Sequence, residues 1–492
     1  MNVVLGIDHG TTRTKVLALD MEMRIVAEAA AELPQVYPQP GWVEQRPADI
    51  LNTTTQAIGA CIAALPQNAT IAGVGLANQG ETVLVWDKNT GAPLYNAIVW
   101  QDRRTTEQCN ALMQEGWGNF VHERTGLYLD SYFSATKVGW ILDHVAEGHE
   151  RAETGDLYLG TTDTWLLWNF SRQQLHITDA TTASRTLFYN LHTLVWDEEL
   201  LDLFQVPRTM LPNVQQCAGY AGDIFLPGWD APVPIMGLVV DQQAALFGHA
   251  CLTPGLVKVT YGTGTFVLMN IGDRPKLSEH ALLTTVAWVL PDSTAYALDG
   301  GIYTTGAAVQ WLVEGLGILE SAEQSAAMAQ SVADNGGVFV VPAFAGLAAP
   351  YWDSNARGLM IGLTRASTRA HIVRATLEGI AYRVRDVLTA MERDAGIPFR
   401  ILRVDGGPTR NSFLMQFQSD ILNVPIQVAA SSETTARGAG QMAGLASGWW
   451  SLNDIAQSWS AAATYEPTMN HEQREALYAR WQHAVQRARE WL

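Results

Sequence analysis

The chain has 492 residues, of which 48% are hydrophobic and 16% are charged, and its formal net charge at pH 7 is −18. This length exceeds what one hydrophobic core supports, so two domains are expected. The acidic charge excludes nucleic acid as a partner, because such binding requires a basic surface. No apolar run is long enough to cross a bilayer, so no membrane partner is expected.

The N-terminus and the cysteines predict a cytoplasmic location. The first residues lead directly into the apolar stretch VVLGID, without the basic segment and cleavage site of a secretory signal. The four cysteines lie far apart, and none has the spacing of a metal ligand pair. We therefore expect reduced, mostly buried thiols. They are Cys61, Cys109, Cys217 and Cys251.

Residues 1–250 alternate short apolar strands with helical stretches, a pattern typical of an α/β domain. The opening segment GIDHGTTRTKVLALD predicts a strand, a turn rich in Gly and Thr, and a second strand. The pattern restarts after residue 250 with LVKVTYGTGTFVLMNIG. This restart predicts a weak internal duplication, with domains at 1–250 and 251–492.

The second half also contains a long helix and a strand-turn-helix unit. Apolar residues recur at helical spacing from Val373 to Met391, and Ser367 or Thr368 would cap the helix. The segment ILRVDGGPTRNSFLMQFQSDIL then predicts a strand, a Gly-Gly turn and a helix whose N-terminus points at a ligand.

The first Gly/Thr turn is a candidate phosphate site. Backbone N–H groups and the side chains of Thr11, Thr12 and Lys15 could contact phosphate oxygens, while Asp8 could hold Mg²⁺ through water. The same residues also suit a plain hairpin turn. The chain has neither GxxxxGK[ST] nor a strand followed by GxGxxG, so any nucleotide site belongs to another fold. The second turn, at Gly262 and Thr263, lacks an acidic residue and suits phosphate better than metal.

Asp241 follows an apolar strand and precedes a helical run. This position fits an N-cap, and it also fits the base that accepts the proton of an attacking hydroxyl in phosphoryl transfer. Three further residues are candidates for a polyol site, namely Glu81, Trp100 and Tyr132. Taken singly they fit a surface carboxylate and two core aromatics. Together they supply a carboxylate that accepts hydrogen bonds from hydroxyl groups and aromatic faces that contact C–H groups.

The sequence resembles the FGGY carbohydrate kinases, and within them it is most similar to the glycerol kinases. The resemblance covers nearly the whole chain, through blocks such as GIDHGTTRTK, TDATTASRTLFYN, DQQAALFGH, TYGTGTFVLMN and RVDGGPTRNSFLMQFQSDIL. It implies two actin-like, ribonuclease-H-like domains of α/β class with the active site in the cleft between them.

The resemblance also implies site residues, cofactors and partners. Asp8 would be the metal-associated catalytic carboxylate and Asp241 the base, with ATP and Mg²⁺ as cofactors. The nucleotide would contact Thr11, Thr12, Arg13, Lys15, Gly262, Thr263, Gly306, Gln310, Gly407 and Asn411. The polyol or sugar would contact Gly80, Glu81, Trp100, Tyr132, Asp241, Gln242 and Phe266. A homo-oligomer, dimer or tetramer, is expected.

One departure from the family bears on the substrate. Glycerol kinases carry Arg immediately before the substrate-binding Glu, whereas this chain has Gly80 before Glu81. A polar group that binds a ligand hydroxyl discriminates strongly between substrates, so its loss could change the substrate. The expected activity is phosphorylation of glycerol to glycerol 3-phosphate. The alternatives are a kinase for a four- or five-carbon polyol or ketose, and a non-catalytic actin-like nucleotide switch.

Overall fold

The computed structural model describes residues 1–492 and has mixed α/β secondary structure. The strands are β1 (Asn2–His9), β2 (Arg13–Asp20), β3 (Ile25–Glu32), β4 (Glu44–Gln45), β5 (Thr70–Asn78), β6 (Val83–Asp87), β7 (Ala97–Ile98), β8 (Leu157–Thr161), β9 (Ile177–Asp179), β10 (Tyr189–Asn190), β11 (Val195–Trp196), β12 (Asn213–Gln215), β13 (Ala218–Phe225), β14 (Pro232–Val240), β15 (Val257–Tyr261), β16 (Thr265–Gly272), β17 (Leu283–Leu290), β18 (Ser293–Ile302), β19 (Phe339–Val341), β20 (Leu359–Ile361), β21 (Leu402–Asp405), β22 (Ile426–Ala429) and β23 (Ala461–Tyr465).

The helices are α1 (Pro47–Ala63), α2 (Thr106–Gln114), α3 (Trp117–Thr125), α4 (Ala135–His144), α5 (Gly148–Glu153), α6 (Thr162–Phe170), α7 (Ala180–Ala183), α8 (Glu198–Leu203), α9 (Asp241–Gly248), α10 (Gly306–Glu314), α11 (Gln324–Gln330), α12 (Arg369–Ala395), α13 (Ser412–Leu422), α14 (Thr434–Ala446), α15 (Leu452–Ser458) and α16 (His471–Ala488). Short 3-10 helices occur at Arg208–Met210 and Gly407–Arg410. No helix has both the length and the apolar character needed to cross a membrane.

Two large mixed sheets organise the two halves of the chain. The first has the strand order β13-β14-β5-β1-β2-β3, and the second has the order β17-β18-β16-β15-β21-β22-β23. In the first sheet β1 pairs antiparallel with β2 and parallel with β5. In the second sheet β15 pairs antiparallel with β16 and parallel with β21. Each half therefore contains the same unit of a hairpin and a parallel neighbour, as the restart in the sequence predicts.

Both predicted hairpin turns are confirmed. In the first, Asp8 lies opposite Lys15 across the strand pair, and the turn follows His9. In the second, Tyr261 lies opposite Thr265, which leaves a three-residue turn at 262–264. The two turns project from their sheets at equivalent positions.

The predicted helical features of the second half are also present. The long amphipathic helix is α12, and Thr368 forms a capping box with His371 at its start. The strand-turn-helix unit consists of β21, the 3-10 turn at 407–410 and α13, for which Asn411 is the N-cap. All four cysteines are free and buried, as expected.

Helix α14 joins the two halves through glycine contacts. It lies between β22 and β23 of the second sheet in the chain, but it packs on β1, β5 and α9 of the first half. A Cβ atom on Gly6 or Gly75 would overlap the backbone carbonyl of Ala436 or Ala439. Glycine is therefore required in both strands, because any side chain would push the helix away from the sheet.

We expect Gly75→Ala to lower the free energy of unfolding by at least about 1–3 kcal/mol, because the added methyl group overlaps the α14 backbone. Gly59→Ala in α1 is the matched control, since a Cβ there meets nothing within 4 Å and replacing a helical glycine stabilises by roughly 0.5–1 kcal/mol. Urea unfolding midpoints check both. Equal midpoints for the two variants would contradict the packing argument.

Candidate active site

Asp8 lies at the end of β1, where the first turn begins. Burial, followed by the negative charge of Asp241, raises the pKa of the Asp8 carboxyl to about 8. The electrostatic coupling shows that the ends of β1 and β14 bring these two carboxylates into one region. Without a cation, a pair of half-buried like charges is unfavourable, so this region is suited to a positively charged ligand.

Asp241 is the first residue of α9, immediately after β14. The N-cap of α9 is Val240, so the interpretation of Asp241 as an N-cap is wrong. Its Oδ1 atom accepts the backbone N–H of Gln242 at 2.7 Å. Burial is the largest influence on Asp241 and raises its pKa. A carboxylate so placed is a better proton acceptor than an exposed one, as a general base requires.

A cavity of about 120 Å³ lies beside Asp241. The seven residues predicted for the polyol all line it, although they come from widely separated parts of the chain. They are Gly80, Glu81, Trp100, Tyr132, Asp241, Gln242 and Phe266. Four further residues complete the wall, namely Thr11, Arg185, Val240 and Gln243. Thr11 was predicted to bind nucleotide, but the structure places it at this cavity.

Three aromatic rings form one side of the cavity. The ring centroid of Trp100 lies 5.4 Å from that of Tyr132 and 6.3 Å from that of Phe266, both in edge-on geometry. The indole N–H of Trp100 donates to Thr11 Oγ1 at 2.9 Å, which fixes the ring. Aromatic rings suit contact with C–H groups, and the carboxylates of Glu81 and Asp241, which line the same cavity, suit hydrogen bonds from hydroxyl groups.

Arg185 is a site residue that the sequence interpretation missed. Its Nε donates to Glu81 Oε1 at 2.7 Å, across 104 residues of sequence. Burial raises the pKa of Glu81 to about 7, and the Arg185 charge opposes that rise. The block TDATTASRTLFYN contains Arg185, but nothing in its spacing relates it to Glu81. Only the fold brings the pair together.

Lys258 is a second missed residue. It is fully buried in β15, and its Nζ donates to Gln242 Oε1 at 2.5 Å and to Thr260 Oγ1 at 3.3 Å. Burial lowers its pKa, while the charges of Asp405 and Asp241 raise it. Lys258 therefore orients the Gln242 amide with its carbonyl oxygen turned towards β15.

A separate cavity of about 330 Å³ lies among α10, α12, α13 and the Gly-Gly turn. Three of the residues predicted for the nucleotide line it, namely Gly306, Gly407 and Asn411. Val309, Leu377 and Leu414 also line it and give it apolar surface. The Gly306 N–H donates to the carbonyl of Gly262 at 3.0 Å, so the second turn connects this cavity to the centre of the site.

The remaining predicted nucleotide residues occupy different places. Gly262 and Thr263 line a larger cavity adjoining the one beside Asp241. Lys15 pairs with Glu28 at 3.0 Å, and the Arg13 side chain is 60% exposed. Thr12 is exposed, and so is Gln310, which donates to Glu314 rather than lining the nucleotide-sized cavity. No group of three or more His, Cys, Asp or Glu side chains forms a metal-binding cluster.

Comparison with known proteins agrees with this geometry. The family model "FGGY family of carbohydrate kinases, N-terminal domain" matches residues 3–248, and the corresponding C-terminal domain model matches residues 257–447. The chain belongs to the FGGY family of carbohydrate kinases. It is therefore a kinase with the two-domain, actin-like α/β fold that the sequence predicts.

Relatives of this FGGY kinase include proteins named glycerol kinase. It is 50% identical to "Glycerol kinase 2" of Thermotoga maritima, covering 100% of this chain and 99% of that protein. It is 48% identical to a glycerol kinase of Nitratidesulfovibrio vulgaris, with the same coverage. A crystal structure of Plasmodium falciparum glycerol kinase with ADP superimposes with a TM-score of 0.94 at 36% identity, covering 99% of this chain and 98% of that one.

We expect Lys258→Met to raise the KM for the phosphoryl acceptor by roughly 10-fold or more, because a hydrogen bond from a charged donor is worth about 1.5–3 kcal/mol and its loss frees Gln242. Initial rates at saturating nucleotide check this. Lys276→Met, at an exposed position, is the control and is expected to retain the parental KM. An unchanged KM in Lys258→Met would show that Gln242 needs no such support.

Proposed function

We propose that this FGGY kinase transfers the terminal phosphoryl group of ATP to a terminal hydroxyl of glycerol, forming glycerol 3-phosphate. The observation that carries the proposal is the cavity of about 120 Å³ beside Asp241, which combines a buried carboxylate, polar groups and aromatic faces. The glycerol kinases among its full-length relatives support the choice of substrate. A cytoplasmic homo-oligomer, dimer or tetramer, is part of the proposal and comes from the sequence.

Asp241 is the proposed base. It takes the proton of the attacking hydroxyl as the oxygen forms its bond to phosphorus, while ADP departs with the electrons of the broken P–O bond. Glu81 and Gln242 line the same cavity and hold the other hydroxyl groups. Trp100 and Phe266 cover the C–H surface of the polyol and keep water from the reacting oxygen.

The two Gly/Thr turns and Asp8 are proposed to hold the phosphate end of the nucleotide. The cavity lined by Gly407 and Asn411 is large and apolar enough for the base and ribose. Asp8 fits a bound Mg²⁺, because its raised pKa reports an excess of buried negative charge that a cation offsets. When bound, MgATP supplies the phosphoryl group and neutralises charge on it.

Two alternatives remain distinguishable by experiment. A non-catalytic nucleotide switch of the actin-like fold would hydrolyse ATP slowly and without regard to polyols, but nothing in such a switch requires the carboxylate-lined cavity beside Asp241. A kinase for a four- or five-carbon polyol or ketose would use the same base with a longer acceptor.

Asp241→Asn is expected to lower glycerol-dependent ADP release by about 100- to 10,000-fold, because the amide cannot accept the proton. ADP affinity, measured by calorimetry, should stay within a few-fold of the parent. Asp292→Asn, at an exposed position, is the control for loss of a carboxylate. Appreciable glycerol phosphorylation by Asp241→Asn would contradict the assignment of the base.

Asp8→Asn is expected to raise the Mg²⁺ concentration for half-maximal activity by about 10-fold or more, because Mg²⁺ binds carboxylate oxygen in preference to amide oxygen. Titration of Mg²⁺ at fixed total ATP checks this. A variant with lower maximal activity but an unchanged Mg²⁺ requirement would assign Asp8 another role.

A further inference from the structure

The cavity beside Asp241, the inner cavity, adjoins a second and larger one. The outer cavity has a volume of about 350 Å³. Five residues line both cavities, namely Trp100, Tyr132, Arg185, Gln242 and Phe266. A water molecule occupies about 30 Å³, so the inner cavity of about 120 Å³ holds about four water-sized groups. A CHOH group has two heavy atoms and is larger than water, so three such groups fill the inner cavity. A longer acceptor would extend into the outer cavity.

Arg185 stands where the two cavities meet. Its side chain is 5% exposed, with Nε paired to Glu81 and Nη1 at 3.1 Å from Asp299 Oδ2. The Nη1 group therefore has an ionic partner in Asp299, but it makes no well-aligned hydrogen bond. A buried donor that lacks a well-aligned hydrogen bond is costly, and at a cavity wall a ligand oxygen can supply that bond.

Strand β18 supplies the opposite wall and leaves space there. Asp299 and Gly301 both line the outer cavity, as expected for residues two apart on one face of a strand. Gly301 pairs with Phe266 across the antiparallel ladder. A Cβ atom at Gly301 would meet nothing within 4 Å, so the cavity is open at this point.

The charges favour a neutral ligand rich in hydroxyl groups. Glu81, Asp241 and Asp299 line the two cavities, whereas Arg185 is the one cation in their walls. Buried Lys137 and Lys258 offset part of this negative charge, so the walls have no cation left free to bind an acidic sugar. A hydroxyl group both donates and accepts hydrogen bonds. One hydroxyl can therefore donate to Asp299 while it accepts from Nη1 of Arg185.

We propose that the outer cavity is a subsite for the distal CHOH groups of a linear polyol with four or five carbons, and that Arg185 and Asp299 bind its distal hydroxyl. This inference rests on the proposed function, with the acceptor extended beyond glycerol. The terminal hydroxyl near Asp241 forms the new O–P bond and gives its proton to Asp241. The bond from the transferred phosphorus to the leaving oxygen of ADP breaks.

The first measurement is coupled ADP release by the parental protein with MgATP and glycerol, erythritol, threitol or xylitol. The subsite predicts that the best longer polyol has a kcat/KM within 100-fold of that for glycerol. Activity with glycerol and a larger deficit for all three longer polyols would overturn the subsite but leave the proposed function standing. No activity with any polyol would overturn the proposed function itself.

The second measurement uses Gly301→Val, since valine suits a strand and its side chain would fill the outer cavity. We expect the ratio of kcat/KM for the best longer polyol to that for glycerol to fall at least tenfold. Gly301→Ala, a smaller change that tests the same wall if the valine variant fails to fold, should lower the ratio in the same direction. Gly59→Ala controls for a general effect of replacing glycine.

The nucleotide is the other possible occupant, because Gly262 and Thr263 also line the outer cavity. A Gly301→Val variant with a raised KM for MgATP and an unchanged polyol ratio would assign the cavity to the nucleotide and overturn the subsite. A lowered ratio of kcat/KM for the longer polyol to that for glycerol, with an unchanged KM for MgATP, supports the polyol subsite.

Discussion

The close contact between α14 and the first sheet is the constraint on which the site depends. Gly6 and Gly75 let the helix backbone lie directly on β1 and β5, and Gly248 and Gly438 do the same between α9 and α14. These strands and α9 carry Asp8 and Asp241 at their ends. A segment from the second half of the chain thus fixes the positions of the two proposed catalytic carboxylates, which belong to the first half.

The site also depends on carboxylates that are shielded from solvent. Glu81 is buried, Asp8 and Asp241 are half-buried, and desolvation raises the pKa of each carboxyl. Two nearby cations are held in fixed partnerships, Arg185 with Glu81 and Lys258 with Gln242. This arrangement is costly for the protein without ligand, but it places strong electrostatic interactions at the proposed site of phosphoryl transfer.

Local sequence patterns predicted much of the architecture. Gly and Thr between apolar runs predicted the two hairpin turns, and helical spacing predicted α12 with its Thr368 cap. The family resemblance selected seven residues that the structure gathers around one cavity. The local pattern was misleading at Asp241, where the residue before it is the N-cap. Thr11 lines the cavity beside Asp241, and its predicted contact with nucleotide stays a prediction.

The sequence alone determined which segments form helices, strands and turns, the presence of two similar halves, and the protein family. These features can be read from turn residues, hydrophobic periodicity and motifs, each of which lies within a short stretch of chain. Only the tertiary structure decided which distant residues meet. Arg185 reaches Glu81 across 104 residues, and Gly301 leaves space beside Phe266 because β18 pairs with β16. Such contacts depend on the packing of whole sheets, which no local spacing encodes.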